Sequence, residues 1–138
     1  MPQSDRYHEQ VRNALIKDGW TITDDPFVLE LEGMHVYADL GAEKALAAQK
    51  RERTIVVEIK SFVSPSLVSE LEKAIGQYAI YTTFLKKSSP LRELFIAVAH
   101  DVYQDFFQRR AVQEIIEDHS IRLLVFEPDK EEVLEWIG

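Results

Sequence analysis

The sequence predicts an α/β domain in which helices flank a mixed β-sheet. The first observation behind this prediction is that short runs rich in β-branched residues, such as "TIVVEIK", alternate with longer segments of helical periodicity. The second is the length of 138 residues, which suits one domain with one core. The third is a composition of 46% hydrophobic and 29% charged residues, which is typical of a soluble globular protein. We therefore expect residues 1–138 to form a single domain.

The first half of the chain predicts one helix and then extended segments. The helix runs from about Asp5 to Asp18, with apolar residues at helical spacing, and Gly19 can end it. The short extended pieces "WTIT" and "FVLELEG" flank a turn at "DDP", and "MHVYADLG" is a third strand that ends near Asp39. The segment "EKALAAQKRER" predicts a charged connection, which can include a helical turn. "TIVVEIK" is the strongest strand signal, because β-branched residues favour strands.

The second half predicts helices and strands in alternation. A helix runs from about Leu67 to Leu85, with Ser66 as its cap, and "ELFIAVA" is a buried strand at residues 93–99. Another helix runs from about Asp101 to Asp118, and "IRLLVFE" is the strand after it. The tail "EEVLEWI" fits a strand or a short helix equally well. The predicted order is α-β-β-β-α-β-α-β.

Composition limits the chemistry that this chain can perform. The absence of cysteine excludes disulfides, thiolate metal sites and a cysteine nucleophile. No apolar run reaches about 18 residues, and the first ten residues are polar, so we expect neither a membrane span nor a signal peptide and place the protein in the cytoplasm. The net charge of −8 opposes non-specific DNA binding, which draws on Lys and Arg contacts to phosphates.

Charged residues at two strand ends are the main candidates for chemistry. Glu58 and Lys60 are two residues apart, so they share one face of their strand, and burying both is costly unless they are paired or bound to something. If the strands are neighbours, Asp39 can approach Glu58, and a divalent cation relieves the repulsion between two carboxylates. Oxygen ligands favour Mg²⁺ or Mn²⁺. Glu43 is either a third carboxylate or the first residue of a helical turn. The alternative for Glu58 and Lys60 is an ion pair at a solvated sheet edge.

The segments "YADLG" and "VEIKS", with their flanking elements, resemble the PD-(D/E)xK nuclease superfamily. This resemblance implies a restriction-endonuclease-like three-layer α/β/α fold with a mixed central sheet, an αβββαβ core plus a carboxyl-terminal helix and strand. It implies a metal site at Glu9, Asp39 and Glu58. It also implies catalytic roles for Asp39, Glu58 and Lys60, joined by Gln77 and Tyr81, which match a Q-x-x-x-Y pattern. Asp39 follows alanine where the superfamily pattern has proline.

A narrower resemblance covers nearly the whole chain. The segments "YHEQVRNALIKDGWTITDDP", "VYADLGAEKALAAQK", "VEIKSFVSPS", "LEKAIGQYAIY" and "IRLLVFEPDKEEVLEWI" are similar to the XisH family of fdxN-element excision controlling factors. This resemblance implies a cyanobacterial protein linked to programmed DNA excision. It also implies two partners, a site-specific recombinase and the second controlling factor XisI.

Two functions from different classes follow. The first is a Mg²⁺- or Mn²⁺-dependent phosphodiesterase acting on DNA, in which a homodimer would address two strands. The second is a non-catalytic controlling factor that keeps the nuclease fold as a scaffold for XisI, the recombinase or a DNA junction. The acidic composition suits a protein partner.

The supporting candidates also have structural interpretations. Glu9 can be a solvated helix residue, and Gln77 with Tyr81 can flank the buried stripe of their helix. His8 borders the apolar stripe of the first helix, which favours a packing or hydrogen-bonding role over that of a metal ligand. The basic cluster "KRER", residues 50–53, is the best phosphate-contact candidate, although a solvated turn is the default interpretation.

Overall fold

A mixed six-stranded sheet organises the chain. The computed structural model describes residues 6–46 and 51–138. Within them are four α-helices: α1 (His8–Lys17), α2 (Leu67–Ser88), α3 (His100–Asp105) and α4 (Arg110–Asp118). The strands are β1 (Thr21–Asp24), β2 (Phe27–Leu31), β3 (Met34–Ala38), β4 (Leu40–Leu46), β5 (Arg51–Ile59), β6 (Glu93–Ala99), β7 (Leu123–Glu127) and β8 (Glu132–Ile137). None of the helices in these ranges is long and apolar enough to cross a membrane.

The strand order of the main sheet is β1-β4-β5-β6-β7-β8. The middle strands β5, β6 and β7 are parallel, whereas β1, β4 and β8 pair with their neighbours in the antiparallel sense. Strands β2 and β3 form a separate antiparallel hairpin. The central segments of the parallel strands, such as residues 55–57 and 94–99, are apolar and buried because both faces of the sheet are covered there. The expected mixed α/β arrangement is confirmed.

Alternating residues of β5 enter two different hydrophobic clusters. Ile55 and Val57 pack in the cluster that holds Val11 and Leu15 of α1. Val56 points the other way, into a cluster built with α2, the β2–β3 hairpin and the segments after β6. This separation follows from the two-residue period of a strand. Glu58 therefore projects toward the same side of the sheet as Val56, where α2 lies.

The largest correction concerns the segment "EKALAAQKRER". The prediction of a charged connection with a helical turn is wrong, because Leu40–Leu46 is strand β4 and β5 already begins at Arg51. Residues 47–50 lie outside the described ranges. Strand β4 pairs with β1 on one side and β5 on the other, so its backbone hydrogen bonds outweigh the helix preference of its Ala, Glu and Lys residues. The third predicted strand ends at Ala38, beside Asp39 as expected, but it belongs to the hairpin and not to the main sheet.

The helices differ from prediction at their ends and at one internal break. Helix α1 begins at His8, and the predicted start near Asp5 lies outside the described residues. The cap of α2 is confirmed, since Ser66 Oγ accepts a hydrogen bond from a backbone N–H of the first turn at 3.2 Å. The predicted single helix over 101–118 is wrong, because a short 3₁₀ segment, Phe106–Gln108, separates α3 from α4. The tail that could be a strand or a helix is strand β8.

Candidate functional site

The register of β4 and β5 brings Asp39 beside Glu58. Asp39 occupies the bend between β3 and β4, and the next residue, Leu40, pairs with Val57. The Ile59 N–H donates to Asp39 Oδ2 at 2.7 Å, which ties the bend to the end of β5. The predicted convergence of the two carboxyl groups is therefore present. It depends on β4, a strand that sequence reasoning missed.

Glu58 is a buried carboxyl group with a raised pKa. Only 8% of the residue is exposed, and its Oε1 finds no hydrogen-bond partner among the described residues. Burial raises the pKa of Glu58 from 4.5 to about 8; the Asp39 charge adds to this increase, and the Lys60 ammonium opposes it. The Glu58 and Asp39 side chains also share a hydrogen bond. Glu58 consequently holds a proton near neutral pH, and that proton would have to leave before the group could bind a cation.

Lys60 is the cationic partner at this position. Its Nζ lies 3.6 Å from Glu58 Oε2, and its side chain is 15% exposed. Because β5 lies between β4 and β6, the alternative of a pair at a solvated sheet edge is wrong, although the contact between Glu58 and Lys60 itself exists. The Lys60 N–H donates to the Ala97 carbonyl at 3.0 Å and extends the β5–β6 ladder by one bond.

The backbone just beyond Lys60 turns sharply and is anchored by aromatic packing. Phe62 has a φ of 53°, a left-handed conformation that is rare for a bulky residue. Its ring centroid lies 5.9 Å from that of Phe106 and 5.3 Å from that of Phe107. This packing offsets the backbone strain. It also fixes the direction in which the chain leaves the Glu58 and Lys60 positions.

Helix α2 contributes the two predicted residues of the Q-x-x-x-Y pattern. Tyr81 is buried, and its hydroxyl donates to the Tyr37 carbonyl at 2.9 Å. Burial raises the pKa of Tyr81, and the charges of Glu58 and Asp39 raise it further, so the phenol stays neutral. Gln77 is half-buried, and its Oε1 has no hydrogen-bond partner among the described residues. Tyr81 thus connects α2 to the strand that leads into Asp39.

We expect Tyr81→Phe to destabilise the protein by about 1–3 kcal/mol, because it leaves the Tyr37 carbonyl without its donor. Urea denaturation at neutral pH would measure the change. Tyr103→Phe is the matched control, since the Tyr103 hydroxyl makes no hydrogen bond to the described residues. Equal stability changes in the two variants would contradict the proposed link.

The first helix presents His8, rather than Glu9, to the carboxyl groups. His8 is 9% exposed, its Nε2 lies 2.7 Å from Asp25 Oδ1, and its Nδ1 lies 3.9 Å from Asp39 Oδ1. Arg12 Nε approaches the other Asp25 oxygen at 3.3 Å. Glu9 is exposed on the helix surface. The hydrogen-bonding role predicted for His8 is confirmed, but its approach to Asp39 and its pairing with Asp25 gave no sequence signal.

Two other charged candidates, Glu43 and Arg53, contact residues outside this site. Glu43 lies in β4 and is hydrogen-bonded to Glu52; this bond and the charge of Glu52 raise the pKa of Glu43. Within the "KRER" cluster, Arg53 Nε contacts Glu93 Oε1 at 2.7 Å, and its guanidinium lies over the ring of Trp20. Arg53 is therefore a structural residue. Lys50 lies outside the described residues.

The donor atoms at this position fit a hard divalent cation. Among the described residues, no three His, Asp or Glu side chains form a group that could hold a metal ion by themselves. A Mg²⁺ site at a phosphate-processing centre commonly uses one or two carboxylates, with phosphate and water oxygens completing the shell. The carboxyl groups of Asp39 and Glu58 meet this requirement, and Glu58 Oε1, which has no hydrogen-bond partner among the described residues, is available as a metal ligand.

Comparisons with known proteins identify the family. The family model described as XisH protein matches residues 1–134. A crystal structure of an XisH family protein from Nostoc punctiforme is similar at 33% identity and a TM-score of 0.88, over 97% of this chain and 100% of that one. A crystal structure of an fdxN element excision controlling factor protein from Anabaena variabilis is similar at 38% identity and a TM-score of 0.87, over 96% of this chain and 98% of that one. No curated protein gives a significant match. The chain therefore belongs to the XisH family.

Proposed function

We propose that this chain is a controlling factor for excision of a DNA element and that the Asp39, Glu58 and Lys60 site cleaves a DNA phosphodiester with Mg²⁺ or Mn²⁺. The observation that carries the proposal is the buried meeting of two carboxyl groups and an ammonium group at the end of β5. Such a cluster is costly to bury and has no role in the apolar core. The printed name of the Anabaena relative supports the link to excision. The pattern Asp, then E-x-K, supports placement in the PD-(D/E)xK superfamily and a restriction-endonuclease-like layering.

Each residue of the site has its own role in the proposed reaction. Asp39 and Glu58 would hold the cation, which would stabilise negative charge on a phosphoryl oxygen when bound. Lys60 supplies a fixed positive charge 3.6 Å from Glu58, where it can stabilise charge that develops on the phosphate or orient a water molecule. Tyr81 acts as a positioning residue through the Tyr37 carbonyl. Glu9 retains the metal role that the superfamily resemblance gives it only if its exposed carboxylate turns inward.

A second candidate is the non-catalytic scaffold that binds XisI or the recombinase. The observation that favours it is an apolar surface on the β2–β3 hairpin. Val28 and Tyr37 are cross-strand partners with 49% and 44% of their area exposed, and Met34 at the turn is 62% exposed. Exposed apolar groups of this kind suit a protein partner better than a nucleic acid.

Calorimetric titration of Mn²⁺ and Mg²⁺ tests the cation site. We expect binding to the wild-type protein and its loss in both Asp39→Ala and Glu58→Ala, because each variant removes one of the two carboxylates. Glu72→Ala, which changes an exposed glutamate of α2, is the control and should bind like the wild type. A parallel titration with a short DNA duplex covers a cation that requires phosphate oxygens. Binding that survives in both carboxylate variants would place the cation elsewhere and overturn the proposal.

A further inference from the structure

A cleft with only basic charges lies at the other end of the sheet from Asp39 and Glu58. Its volume is about 390 Å³, and it lies between α2 and the turn that leads from α4 into β7. Its basic lining residues are Lys86, Arg92, His119 and Arg122; none of the described residues that line it carries a carboxylate. The protein as a whole has a net charge of −8, so this clustering of cations is a local exception.

The sheet register separates this cleft from the carboxyl groups. Glu58 pairs with Ile96 of β6, and Arg92 precedes Ile96 by four residues, which is about 13 Å at roughly 3.3 Å per residue. Arg122 directly precedes β7, and its carbonyl accepts a hydrogen bond from the Ile96 N–H. The cleft is therefore at the amino ends of the parallel strands, whereas Glu58 is near the carboxyl end of β5.

Arg92 carries a hydrogen-bonding group that the described residues do not use. Its Nη1 is buried and has no hydrogen-bond partner among them. The guanidinium carbon lies over the Phe27 ring, 4.7 Å from the ring centroid, and the positive charge of Arg92 also acts on Glu43, which does not line the cleft. A buried donor without a partner costs free energy, and an anion in the cleft would supply the missing acceptor.

The wall of the cleft is fixed before any ligand arrives. The Tyr78 hydroxyl lies 3.3 Å from the carbonyl oxygens of Leu94 and Ser120, and it accepts a hydrogen bond from the Arg122 N–H at 3.2 Å. These contacts join α2, the start of β6 and the turn before β7. A rigid wall lowers the entropy cost of holding a ligand.

We propose that this cleft binds a phosphate group carried by an organic body. Guanidinium groups pair with phosphate oxygens in two-pronged geometry, and two arginines with one lysine can balance a doubly charged phosphate. A volume of about 390 Å³ exceeds the size of inorganic phosphate and suits a nucleotide-sized ligand. Ile75, Leu85 and Ile121 supply apolar surface for its body. The same chemistry is offered by a free nucleotide and by the backbone of a nucleic acid.

NMR titration of the ¹⁵N-labelled full chain tests this proposal. The probes are inorganic phosphate, thymidine monophosphate and a short oligothymidine. We expect shifts of the Arg92, Ser120 and Arg122 amides, with the monophosphate binding more tightly than inorganic phosphate. Saturation by the monophosphate alone identifies a nucleotide site, and tighter binding of the oligomer identifies a nucleic-acid contact. The absence of shifts at these amides with all three probes would overturn the proposal.

Four variants make the test specific. Arg122→Gln and Lys86→Gln should each weaken phosphate binding by about tenfold, because each removes one charge from the cleft without altering the half-buried Arg92. Lys73→Gln removes an exposed charge elsewhere on α2 and should bind like the wild type. Equal weakening of phosphate binding in these three glutamine variants would indicate a non-specific charge effect and overturn the proposal. Asp39→Asn should bind phosphate normally, so a failed cleft and a failed carboxylate site can be told apart.

Discussion

Lys60→Met is expected to reduce cation-dependent DNA cleavage by about 100-fold or more, the scale seen when one fixed stabiliser of transition-state charge is removed. Methionine fills a similar volume without the charge, so the change isolates the ammonium group that lies 3.6 Å from Glu58. Cleavage of duplex, single-stranded and branched DNA with Mg²⁺ and with Mn²⁺ measures the effect. Thermal melting of the variant verifies that the fold persists.

The control for this experiment is Lys73→Met, which removes an exposed lysine of α2 and should cleave at the wild-type rate. Undiminished cleavage by K60M would remove Lys60 from the mechanism. If the wild-type protein cleaves none of the substrates, and the wild type and K60M form equally stable complexes with an XisI-type partner, the scaffold function takes the place of the nuclease.

Glu58→Gln is expected to stabilise the protein without added cation, and the gain should grow with pH. Folding raises the pKa of Glu58 from 4.5 to about 8, so the folded state keeps a proton that the unfolded state loses. The raised pKa therefore costs no stability below pH 4.5. As the pH rises it lowers the free energy of unfolding of the wild type, and this loss is complete above about pH 8. Glutamine resembles the protonated acid and does not titrate. Each unit of raised pKa corresponds to about 1.4 kcal/mol.

Denaturant unfolding with a chelator at a series of pH values measures this effect. The two proteins should have similar stabilities at the acidic end, and the variant should be the more stable one by several kcal/mol at the alkaline end. Glu72→Gln, an exposed substitution on α2, should show no such divergence. A constant difference across the series would show that Glu58 ionises as easily in the folded protein as in the unfolded chain.

Long, uniform elements were predicted well because their local pattern agrees with the final fold. Strand β6 occupies residues 93–99 as expected, since a short apolar run buried on both faces has few other conformations. Helix α2 begins at Leu67 as expected and exceeds its predicted end by three residues, reaching Ser88. By contrast, the break at Phe106–Gln108 depends on two rings packing against Phe62, a distant residue.

The functional site likewise combines local features that the sequence predicts with contacts that it does not. The spacing of Glu58 and Lys60 alone placed both side chains on one strand face, because that property is local. The spacing of Asp39 and Glu58 gave only a condition, that their strands be neighbours; β4, which supplies the contact, looked like a helical connection. Sequence also favoured Glu9 over His8 on α1, although His8 is the residue that approaches Asp39.

The sequence by itself determined the family resemblance, the mixed α/β class and the residue types available for chemistry, since these depend on order and local periodicity. Only the tertiary structure decided that Glu58 is buried, that Asp39 Oδ2 accepts from the Ile59 N–H, and that Arg92 faces a basic cleft. The physical reason is that burial and strand register arise from contacts between residues far apart in the chain. Those contacts set the local electrostatics that give the same side chains their different roles.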